Sequence, residues 1–475
     1  MKELPKKANL SEWYTSVCLK AELADYAPIR GCMVIRPYGF AIWEKIRNYL
    51  DEKFRLLGVK NCYFPIFIPE SLLEREREHI SGFAPQCAWV EKGGSESLSE
   101  RLALRPTSEA IICSMFAKWV NSYRFLPVLI NQWVNVIRWE KSTRLFLRTT
   151  EFLWQEGHTL HRTEKEAEEF ALKILEIYRV FFTDFLSIPV LVGKKPPSEK
   201  FAGAKTTYTL EALMPDGQAL QAGTSHNLGT NFSEAFQIKY LAEDNQEKYP
   251  YGTSWGISTR VIGALIMTHG DDKGLILPPA VAPIQIVIVP IFTKEEGVNE
   301  KLREKGENLL FCLTQQGFSA HFDKREEYSP GWKFNEWDLK GIPLRVEIGE
   351  KELKEGKLTI KNRLGEREEV KVEDFLSNTS SFLEKVQKGL YERAKDFLSL
   401  RTITASSLSQ FKEEMKTRPG FMKVSWCGKQ ECEDRIRKET QTSPRLIPVD
   451  FSSCNPPCLV CQGEGRFTVY YARAY

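Results

Sequence analysis

The sequence lacks the features of membrane, secreted and low-complexity proteins. Its longest apolar stretch, near residues 280–292, is too short and too interrupted by proline to span a bilayer. No apolar run follows the basic residues near the N-terminus, so we expect no signal peptide. Internal repeats and low-complexity segments are also missing. We therefore expect a globular cytoplasmic protein with no membrane contact.

Charge and cysteine content narrow the class further. The net charge is only +3, which excludes a global basic field, so any RNA contact must come from local patches. Six of the 11 cysteines are scattered through the body, and five lie from Cys427 onward. Scattered cysteines suit a reducing cytoplasm, whereas a cluster suits a metal. A length of 475 residues predicts two to four domains with ample cores.

Residues 131–161 concentrate polar chemistry on a predicted β-hairpin. Two alternating runs flank a polar loop at residues 141–144. Because side chains alternate along a strand, Arg138 and Glu140 are predicted to share one face. On the second strand Trp154, Glu156 and His158 share a face by the same rule, and Arg148, Glu151 and Phe152 lie nearby. The structural alternative is a solvated hairpin with exposed ion pairs, but such a hairpin would not need this many charged and aromatic side chains.

Three further strings carry candidate site residues. In R-P-T-S-E, Thr107 and Ser108 suit a helix N-cap and Glu109 suits the first helical turn. Asp216-Gly217 predicts a hairpin turn, and Gln221, Thr224 and His226 follow it in Q-A-G-T-S-H. Residues 252–270 begin with glycines and a Ser/Thr cap and enter an apolar helix, predicted to include Ile257, with Ser258 and Arg260 at its start. The P-loop string G-x-x-x-x-G-K-[ST] is absent, so this is no P-loop ATP site.

These strings resemble the three signature motifs of the class II aminoacyl-tRNA synthetases. A predicted helix at 38–57, followed by a strand at 61–69 that carries Pro65, is similar to motif 1, which forms the dimer interface. The hairpin's R-x-E resembles motif 2, and G-x-x-x-R resembles motif 3. Together with W-Q-E-G-H, G-T-S-H and the cysteine tail, the resemblance extends over nearly the whole chain to prolyl-tRNA synthetases of the archaeal and eukaryotic type. Ile257, Ser258 and an extra Cys454 are small departures from that pattern.

The resemblance implies a proline–tRNA ligase. Such an enzyme activates L-proline with ATP to prolyl-adenylate and transfers it to the 3′ end of tRNA(Pro), with Mg²⁺ on the ATP phosphates. Arg138 and Arg260 are implied as catalytic residues. The implied ATP site consists of Arg138, Glu140, Arg148, Thr149, Phe152, Gln221, Thr224, Ser258 and Arg260. The implied proline pocket consists of Thr107, Ser108, Glu109, Arg138, Trp154, Glu156, His158 and His226.

Three domains are predicted, in a multidomain α+β and α/β chain. Residues 1–280 form the catalytic domain, an antiparallel sheet flanked by helices, and a proline-rich linker ends it. Residues 281–378 alternate strands with helices, which predicts an α/β domain with a largely parallel sheet, and they resemble an anticodon-binding domain. Residues 379–475 form a small C-terminal domain. Predicted RNA contacts in the second domain are Trp332, Lys333 and Arg345.

The C-terminal domain carries a candidate metal site. Cys427-x4-Cys432 and Cys458-x2-Cys461 are two close thiol pairs far apart in sequence, which is typical of structural tetrahedral Zn²⁺. Vacant thiols are the alternative. Four thiolates leave no open position, so the metal would brace the domain and do no chemistry. Residues 467–475 predict a strand that docks against the body of the protein.

Two other functions compete with this interpretation. A threonyl-specific class II enzyme is disfavoured, because no cysteine and histidine set lies between Glu109 and Arg260 with metal-ligand spacing. A non-catalytic paralogue, acting as an RNA-binding subunit, is disfavoured because the motif arginines remain. Between His161 and Gly252 the chain has room for a helix at 164–185 and strands only, so we expect no editing domain inserted there.

Overall fold

The computed structural model describes residues 4–79, 86–449 and 456–475, and Cys454 lies outside them. The first part of the chain contains seven helices: α1 Leu10–Lys20, α2 Pro37–Leu56, α3 Glu70–His79, α4 Glu109–Trp119, α5 Glu164–Val180, α6 Asn231–Ala235 and α7 Arg260–His269. Its strands are β1 Ala24–Tyr26, β2 Met33–Ile35, β3 Lys60–Asn61, β4 Phe67–Pro69, β5 Ala88–Gly93, β6 Glu96–Leu104, β7 Val128–Ile137, β8 Glu151–His161, β9 Leu191–Lys194, β10 Thr206–Leu213, β11 Ala219–Gly229, β12 Tyr240–Leu241, β13 Glu247–Lys248 and β14 Tyr251–Ser258. Two short turns of 3₁₀-helix, Tyr123–Phe125 and Pro197–Glu199, and a π-helical turn, Phe181–Phe185, complete this part.

The rest of the chain forms two smaller α/β parts. The middle part consists of β15 Ile286–Pro290, α8 Glu296–Gln315, β16 Ala320–Phe322, α9 Pro330–Leu339, β17 Leu344–Ile348, α10 Glu350–Glu355, β18 Lys357–Asn362 and β19 Arg367–Lys371. A long helix, α11 Val372–Leu400, leads to β20 Thr402–Thr404, α12 Leu408–Thr417, β21 Phe421–Trp426, α13 Gln430–Thr440, β22 Ser443–Pro448 and β23 Phe467–Ala472. No helix among the described residues is both long enough and apolar enough to cross a membrane.

One 11-stranded sheet organises the molecule, in the order β20-β21-β23-β22-β9-β10-β11-β14-β8-β7-β3. Its neighbours pair antiparallel except at the two ends, where β20 joins β21 and β3 joins β7 in parallel. Helices α1, α2, α5 and α7 pack in one apolar core with the central strands. The antiparallel catalytic sheet flanked by helices is therefore confirmed, and it extends further than expected, because β22 joins the C-terminal strands to it.

Local sequence signals account for several of these elements. Helix α2 begins with Pro37 at its first position, and Gly58, with φ +82°, follows its end. Its buried residues include Trp43, Ile46 and Leu50, which confirms the helical spacing. A capping box between Thr163 and Glu166 starts α5.

Some local predictions were wrong. The expected strand at 61–69 is split into β3 and β4, which belong to different sheets, and Pro65 lies between them. Arg138 and Glu140 lie beyond the end of β7, in a connection that covers residues 138–150, so they do not share a strand face. Ile257 belongs to β14, because the helix expected from that point begins only at Arg260.

The middle part confirms the predicted α/β fold with one difference. Its sheet has the order β16-β15-β17-β18-β19, in which the first three strands are parallel and the last two pair antiparallel. The predicted boundary after residue 378 falls inside α11, at a kink where Asn378 leaves helical geometry. The domain boundaries themselves stay a prediction.

Two of the three predicted RNA contacts were wrong. Lys333 is buried and lies 3.8 Å from Asp323, and Arg345 is buried with ion pairs to Asp338 and Glu347. Both cations therefore hold the domain together. Trp332 is half-buried and stays a prediction.

Candidate active site

A cleft of about 300 Å³ opens over the central strands of the large sheet. Motif-bearing residues from α4, β8, β11 and β14 line it. It brings together 12 of the predicted site residues: Thr107, Glu109, Arg138, Phe152, Trp154, Glu156, His158, Gln221, Thr224, His226, Ser258 and Arg260. Their roles stay predictions, but their convergence in one cleft does not depend on any resemblance.

One end of the cleft is acidic and buried. Glu109 begins α4, and the Thr107 hydroxyl donates to its carboxylate. Ser108 occupies the N-cap position but makes no cap hydrogen bond, because its hydroxyl donates to Glu156 Oε1 at 2.5 Å. The N-cap therefore lies where the sequence predicted it, but its side chain does not make the hydrogen bond typical of an N-cap. Buried carboxylates at this end suit a cationic group such as an ammonium.

Glu156 and His158 form a buried pair on β8. His158 Nε2 lies 3.1 Å from Glu156 Oε2, and Gln132 donates to the other carboxylate oxygen at 2.6 Å. Burial alone would raise the pKa of Glu156, but the hydrogen bonds from His158 and Ser108 lower it below its ordinary value. Burial likewise opposes the charge of His158, yet Glu156 raises its pKa above 6.5. Both shifts favour the carboxylate–imidazolium form of the pair.

The pKa of His226 is shifted in the opposite direction from that of His158. Burial, reinforced by the charge of His158, lowers its pKa to about 3, so its imidazole is neutral. Its Nδ1 lies 3.0 Å from the Thr207 hydroxyl, and its ring lies 4.7 Å from that of Phe201. The neutral ring pair forms an apolar wall beside the charged pair.

Arg138 lies between the two ends of the cleft. Its Nε donates to Pro106 O at 2.9 Å, and its guanidinium lies 5.7 Å from the ring of Phe152 and 5.4 Å from that of Trp154. These contacts fix the side chain while its remaining donors face the cleft. Desolvation lowers the pKa of Arg138 and the nearby carboxylates oppose that effect, but arginine stays charged at any ordinary pH.

The second cleft arginine begins the helix after β14. Arg260 is the first residue of α7, and its Nε donates to Leu147 O at 3.1 Å. Ser258 Oγ accepts from the Arg260 backbone N–H at 3.3 Å. Gln221 and Thr224 approach from β11, the neighbouring strand. Two fixed guanidiniums in one cleft provide a site for a polyphosphate.

Four predicted residues lie outside the lining of the cleft. Glu140 and Arg148 form an ion pair at 2.7 Å in the 138–150 connection. Thr149 is buried and donates to Glu151 O at 2.7 Å, and Ser108 contacts the cleft only through Glu156. The ion pair uses Arg148 Nε and Glu140 Oε2.

Sequence reasoning missed several lining residues. Glu199, Phe201 and Thr207 lie in or beside a loop without a recognisable string, so no signal pointed to them. Ser254 lies on β14 opposite both His158 and His226 in register, a position that only the strand pairing reveals. Ser254 Oγ and Trp154 Nε1 are buried without a hydrogen-bond partner among the described residues. Buried polar atoms of this kind in a cleft lining are available to a bound ligand.

The four tail cysteines converge as predicted. The thiols of Cys427, Cys432, Cys458 and Cys461 lie within 4.8 Å of one another. A second, larger cavity of about 530 Å³ lies between the end of α7, the β10–β11 turn and α11, and it contains none of the predicted site residues.

Family comparisons agree with this geometry. Residues 89–269 match the family model described as tRNA synthetase class II core domain (G, H, P, S and T). Residues 285–381 match an anticodon binding domain, and residues 408–475 match a prolyl-tRNA synthetase C-terminal domain.

Similar proteins align along nearly the entire chain. The proline--tRNA ligase of Alkaliphilus oremlandii is 49% identical over 472 residues, which cover 99% of this chain and 97% of the relative. That of Natranaerobius thermophilus is 49% identical over 474 residues, with the same coverage of 99% and 97%. The proline--tRNA ligase 2 of Clostridioides difficile is 47% identical over 468 residues, covering 98% and 96%.

Proposed function

The chain belongs to the prolyl-tRNA synthetase family of class II aminoacyl-tRNA synthetases, and on this premise we propose how its cleft joins L-proline to tRNA(Pro). The observation that carries the proposal is the pairing, in one cleft, of a buried acidic end with two fixed arginines. The acidic end, at Glu109, suits the ammonium group of an amino acid. The arginines, Arg138 and Arg260, suit the phosphates of ATP.

Neither chemical step needs a nucleophile from the protein. The proline carboxylate attacks the α-phosphorus of ATP and pyrophosphate leaves. A terminal ribose hydroxyl of tRNA then attacks the carbonyl of prolyl-adenylate; the ester forms as the carbonyl–oxygen bond to the phosphate breaks, AMP leaves and the hydroxyl proton is lost. Positioning and charge neutralisation therefore carry catalysis. Arg138 contacts the α-phosphate and the proline carboxylate, and Arg260 holds the far end of the polyphosphate. Its place between the acidic end and Arg260 supports this role for Arg138.

The remaining predicted residues divide between the two substrates. Phe152 stacks on adenine and Glu140 accepts from its amino group, once Arg148 has moved to the polyphosphate beside Thr149. Gln221, Thr224 and Ser258 face ATP. The pyrrolidine ring lies against Trp154, the Glu156–His158 pair and His226, with Thr107 and Ser108 holding the acidic end. The convergence of most of these residues in the cleft supports the assignment.

Two metals belong to this proposal. Among the described residues the tail cysteines form the one group of three or more potential metal ligands, so magnesium enters on the ATP phosphates rather than in a protein cage. When bound, it neutralises phosphate charge. Tetrahedral zinc with bonds of about 2.3 Å requires sulfurs about 3.8 Å apart. Sulfur separations of 3.6 Å for Cys427–Cys432 and 3.8 Å for Cys427–Cys461 fit that requirement.

A homodimer through motif 1 is also part of the proposal. Leu56, Tyr63 and Phe67 are 75%, 74% and 45% exposed, an unusual run of large apolar side chains around β3 and β4. A second copy of this chain covering the run explains it. Cys18, Cys32, Cys62 and Cys312 are present as thiols, which supports a reducing, cytoplasmic location.

Exchange of pyrophosphate into ATP, measured across a panel of amino acids, tests the function. We expect exchange with proline far above that with threonine. Preference for threonine would favour the threonyl alternative, and no exchange with any amino acid by a folded protein would favour a non-catalytic RNA-binding paralogue. Neither alternative is favoured by the family comparison.

A further inference from the structure

The C-terminal strands join the catalytic sheet next to the ATP end of the cleft. Strand β22 pairs with β9 at Ile447 and Lys194, and β9 pairs in turn with β10. Strand β10 forms the hairpin with β11, which carries Gln221 and Thr224. The part of the chain that holds the cysteine cluster is therefore two strands away from a wall of the ATP site.

A buried ionic triad ties this junction together. Arg445, on β22, donates from Nε and Nη2 to Glu211 Oε2 at 3.1 and 3.0 Å. Lys195 donates to Glu211 Oε1 at 2.7 Å. Glu211 is completely buried, and Arg445 and Lys195 are 6% and 7% exposed. Glu211 Oε2 therefore receives both of these charged hydrogen bonds from a residue of β22.

Glu211 is also a neighbour of the ATP site. It lies opposite Gln221 in the β10–β11 register, so the two side chains share a face. Its negative charge also acts on Arg260, where it opposes the desolvation that lowers the pKa of that arginine. Both Gln221 and Arg260 line the cleft and can donate hydrogen bonds. Without Arg445, Glu211 Oε2 would lack its charged donors in a dry site and would draw on these two groups.

We propose that Arg445 is a positioning residue for ATP: by occupying Glu211, it leaves Gln221 and Arg260 free to hold the nucleotide. The inference rests on the proposed function, because it takes Gln221 and Arg260 as ATP ligands. It adds to that function a role for the C-terminal part of the chain in nucleotide binding, besides bracing the fold. Among the described residues Glu109 and Glu156, at the acidic end, share no hydrogen bond with the triad; the backbone N–H of Lys195 does donate to Thr207 O at 2.8 Å, a bond that involves neither Arg445 nor Glu211.

Replacing Arg445 separates positioning from simple bracing. In pyrophosphate exchange with proline, Arg445→Met should raise the KM for ATP about tenfold, equivalent to about 1.4 kcal/mol. The KM for proline should stay within about twofold of wild type. Arg445→Lys keeps one charged donor and should restore most of the ATP affinity. A role limited to bracing predicts instead that both KM values change together, or that neither changes in the folded enzyme.

Arg363→Met is the matched control. Arg363 is a similarly buried arginine that holds Asp271 at 3.1 and 2.8 Å across another junction, away from the cleft. It should lower the melting temperature while leaving both KM values near wild type. A rise in the KM for ATP equal to that of Arg445→Met would overturn the inference, because any lost buried arginine would then have the same effect.

The double variant Glu211→Gln, Arg445→Met gives the sharpest test. Removing the carboxylate removes its pull on Gln221 and Arg260, so at least half of the lost ATP affinity should return. If the double variant binds ATP no better than Arg445→Met, the inference fails. The double variant carries no unpaired carboxylate at residue 211. If Arg445→Met does not fold, the double variant is therefore measured in its place. A KM for proline that is raised as much as the KM for ATP would then refute the inference. Absence of proline-dependent exchange in wild type would refute the proposed function instead.

Discussion

Single residues in the cleft acquire their charge from their partners. His158 and His226 both line the cleft, yet the pKa of His158 is raised and that of His226 is lowered to about 3. The difference follows from Glu156, which contacts His158, whereas His226 faces a hydroxyl and an aromatic ring. A second positive charge beside His158 would be repelled, so the pair of histidines separates into one charged and one apolar surface.

This separation predicts a pH dependence of stability. The raised pKa of His158 means that its contribution is complete below about pH 6.5 and is lost as the pH rises through the folded-state value. The lowered pKa of Glu156 means that its contribution is present above about pH 4.5 and is lost as the pH falls. The stability advantage of wild type over His158→Asn should therefore decrease as the pH rises through the folded-state pKa of His158.

Urea unfolding at several pH values measures that advantage. His226→Asn is a control of opposite sign: its folded-state pKa of about 3 lies below the unfolded value of about 6.5, so the stability of wild type relative to this variant should fall as the pH falls below about 6.5 and stay constant above it. A pH-independent difference for His158→Asn would show that the Glu156–His158 pair is not ionic.

Arg138 supports a second prediction at this scale. Its anchor on Pro106 and its two aromatic neighbours hold the guanidinium before any ligand binds. Arg138→Ala should slow proline-dependent pyrophosphate exchange by about 10²–10³, as the loss of a preorganised oxyanion donor does. Near-normal exchange by a folded variant would contradict the assignment. Arg124→Ala, an arginine outside the cleft lining, should exchange like wild type.

Where a sequence motif marked a site, the sequence predicted which residues lie together. It did not predict which residues from other elements surround them. Alternation along β8 correctly grouped Trp154, Glu156 and His158, because strand geometry alone sets that face. Burial of Lys333 and Arg345 was not predictable, since their partners come from other elements. Ser254 was missed for the same reason.

At the scale of elements, the glycine of W-Q-E-G-H shows how strand packing constrains the site. Gly157 lies opposite Trp255 across β8 and β14, and a methyl group on Gly157 would overlap the indole. Trp255 in turn packs on Phe54 and Phe170 in the main core. The glycine therefore keeps β8 flat against the core, while its neighbours Glu156 and His158 face the cleft.

Gly157→Ala should destabilise the protein by about 1–3 kcal/mol, because overpacking a well-filled core forces side chains to move. Adding Trp255→Phe should recover part of the loss by making room for the methyl group. Denaturant unfolding measures both changes. Gly297→Ala is the control: it lies in α8, where an added Cβ would meet nothing within 4 Å outside its own helix backbone, so alanine should be neutral or stabilising. Equal losses at the two glycines would contradict this account.

Elements with strong local signals were predictable, and those that depend on pairing partners were not. The capped helix α5 and the turn at Gly217 followed from their own sequences. The split of residues 61–69 into two strands depends on two different partners, β7 and β6, which no local pattern specifies. The long 138–150 connection was missed because its polar residues alternate like a strand.

At the scale of the whole molecule, the part of the chain that holds the cysteine cluster contributes strands β21, β22 and β23 to the sheet that carries the cleft. Purified protein should contain one tightly bound zinc per chain. Chelation, or Cys432→Ser, should lower the melting temperature by several degrees and change the exchange rate at saturating substrates much less, because metal binding contributes to folding free energy. Metal analysis and thermal melts test this. Cys312→Ser, outside the cluster, is the control and should leave both the zinc content and the melting temperature unchanged.

The segment of residues 162–250, between the two halves of the cleft, bears on how accurately the protein selects its amino acid. Residues 162–250 are all described, and they form α5, the π-helical turn, α6 and strands β9 to β13, with no additional domain. We therefore expect selection against other amino acids to depend on the cleft. Each missing methylene changes binding by only about 1–3 kcal/mol, or roughly 10–200-fold. Alanine and cysteine should consequently be activated at a detectable fraction of the proline rate.

Without a second hydrolytic site, alanine attached to tRNA(Pro) should persist. Incubating alanyl-tRNA(Pro) with the purified protein and following deacylation tests this directly, and the rate should match that in buffer. Prolyl-tRNA(Pro) serves as the control for non-specific hydrolysis. Deacylation well above the buffer rate, retained when Arg138→Ala abolishes activation, would reveal an editing site elsewhere in the chain. Its loss in that variant would place hydrolysis in the synthetic cleft, where His226, with a pKa of about 3, is only a weak general base.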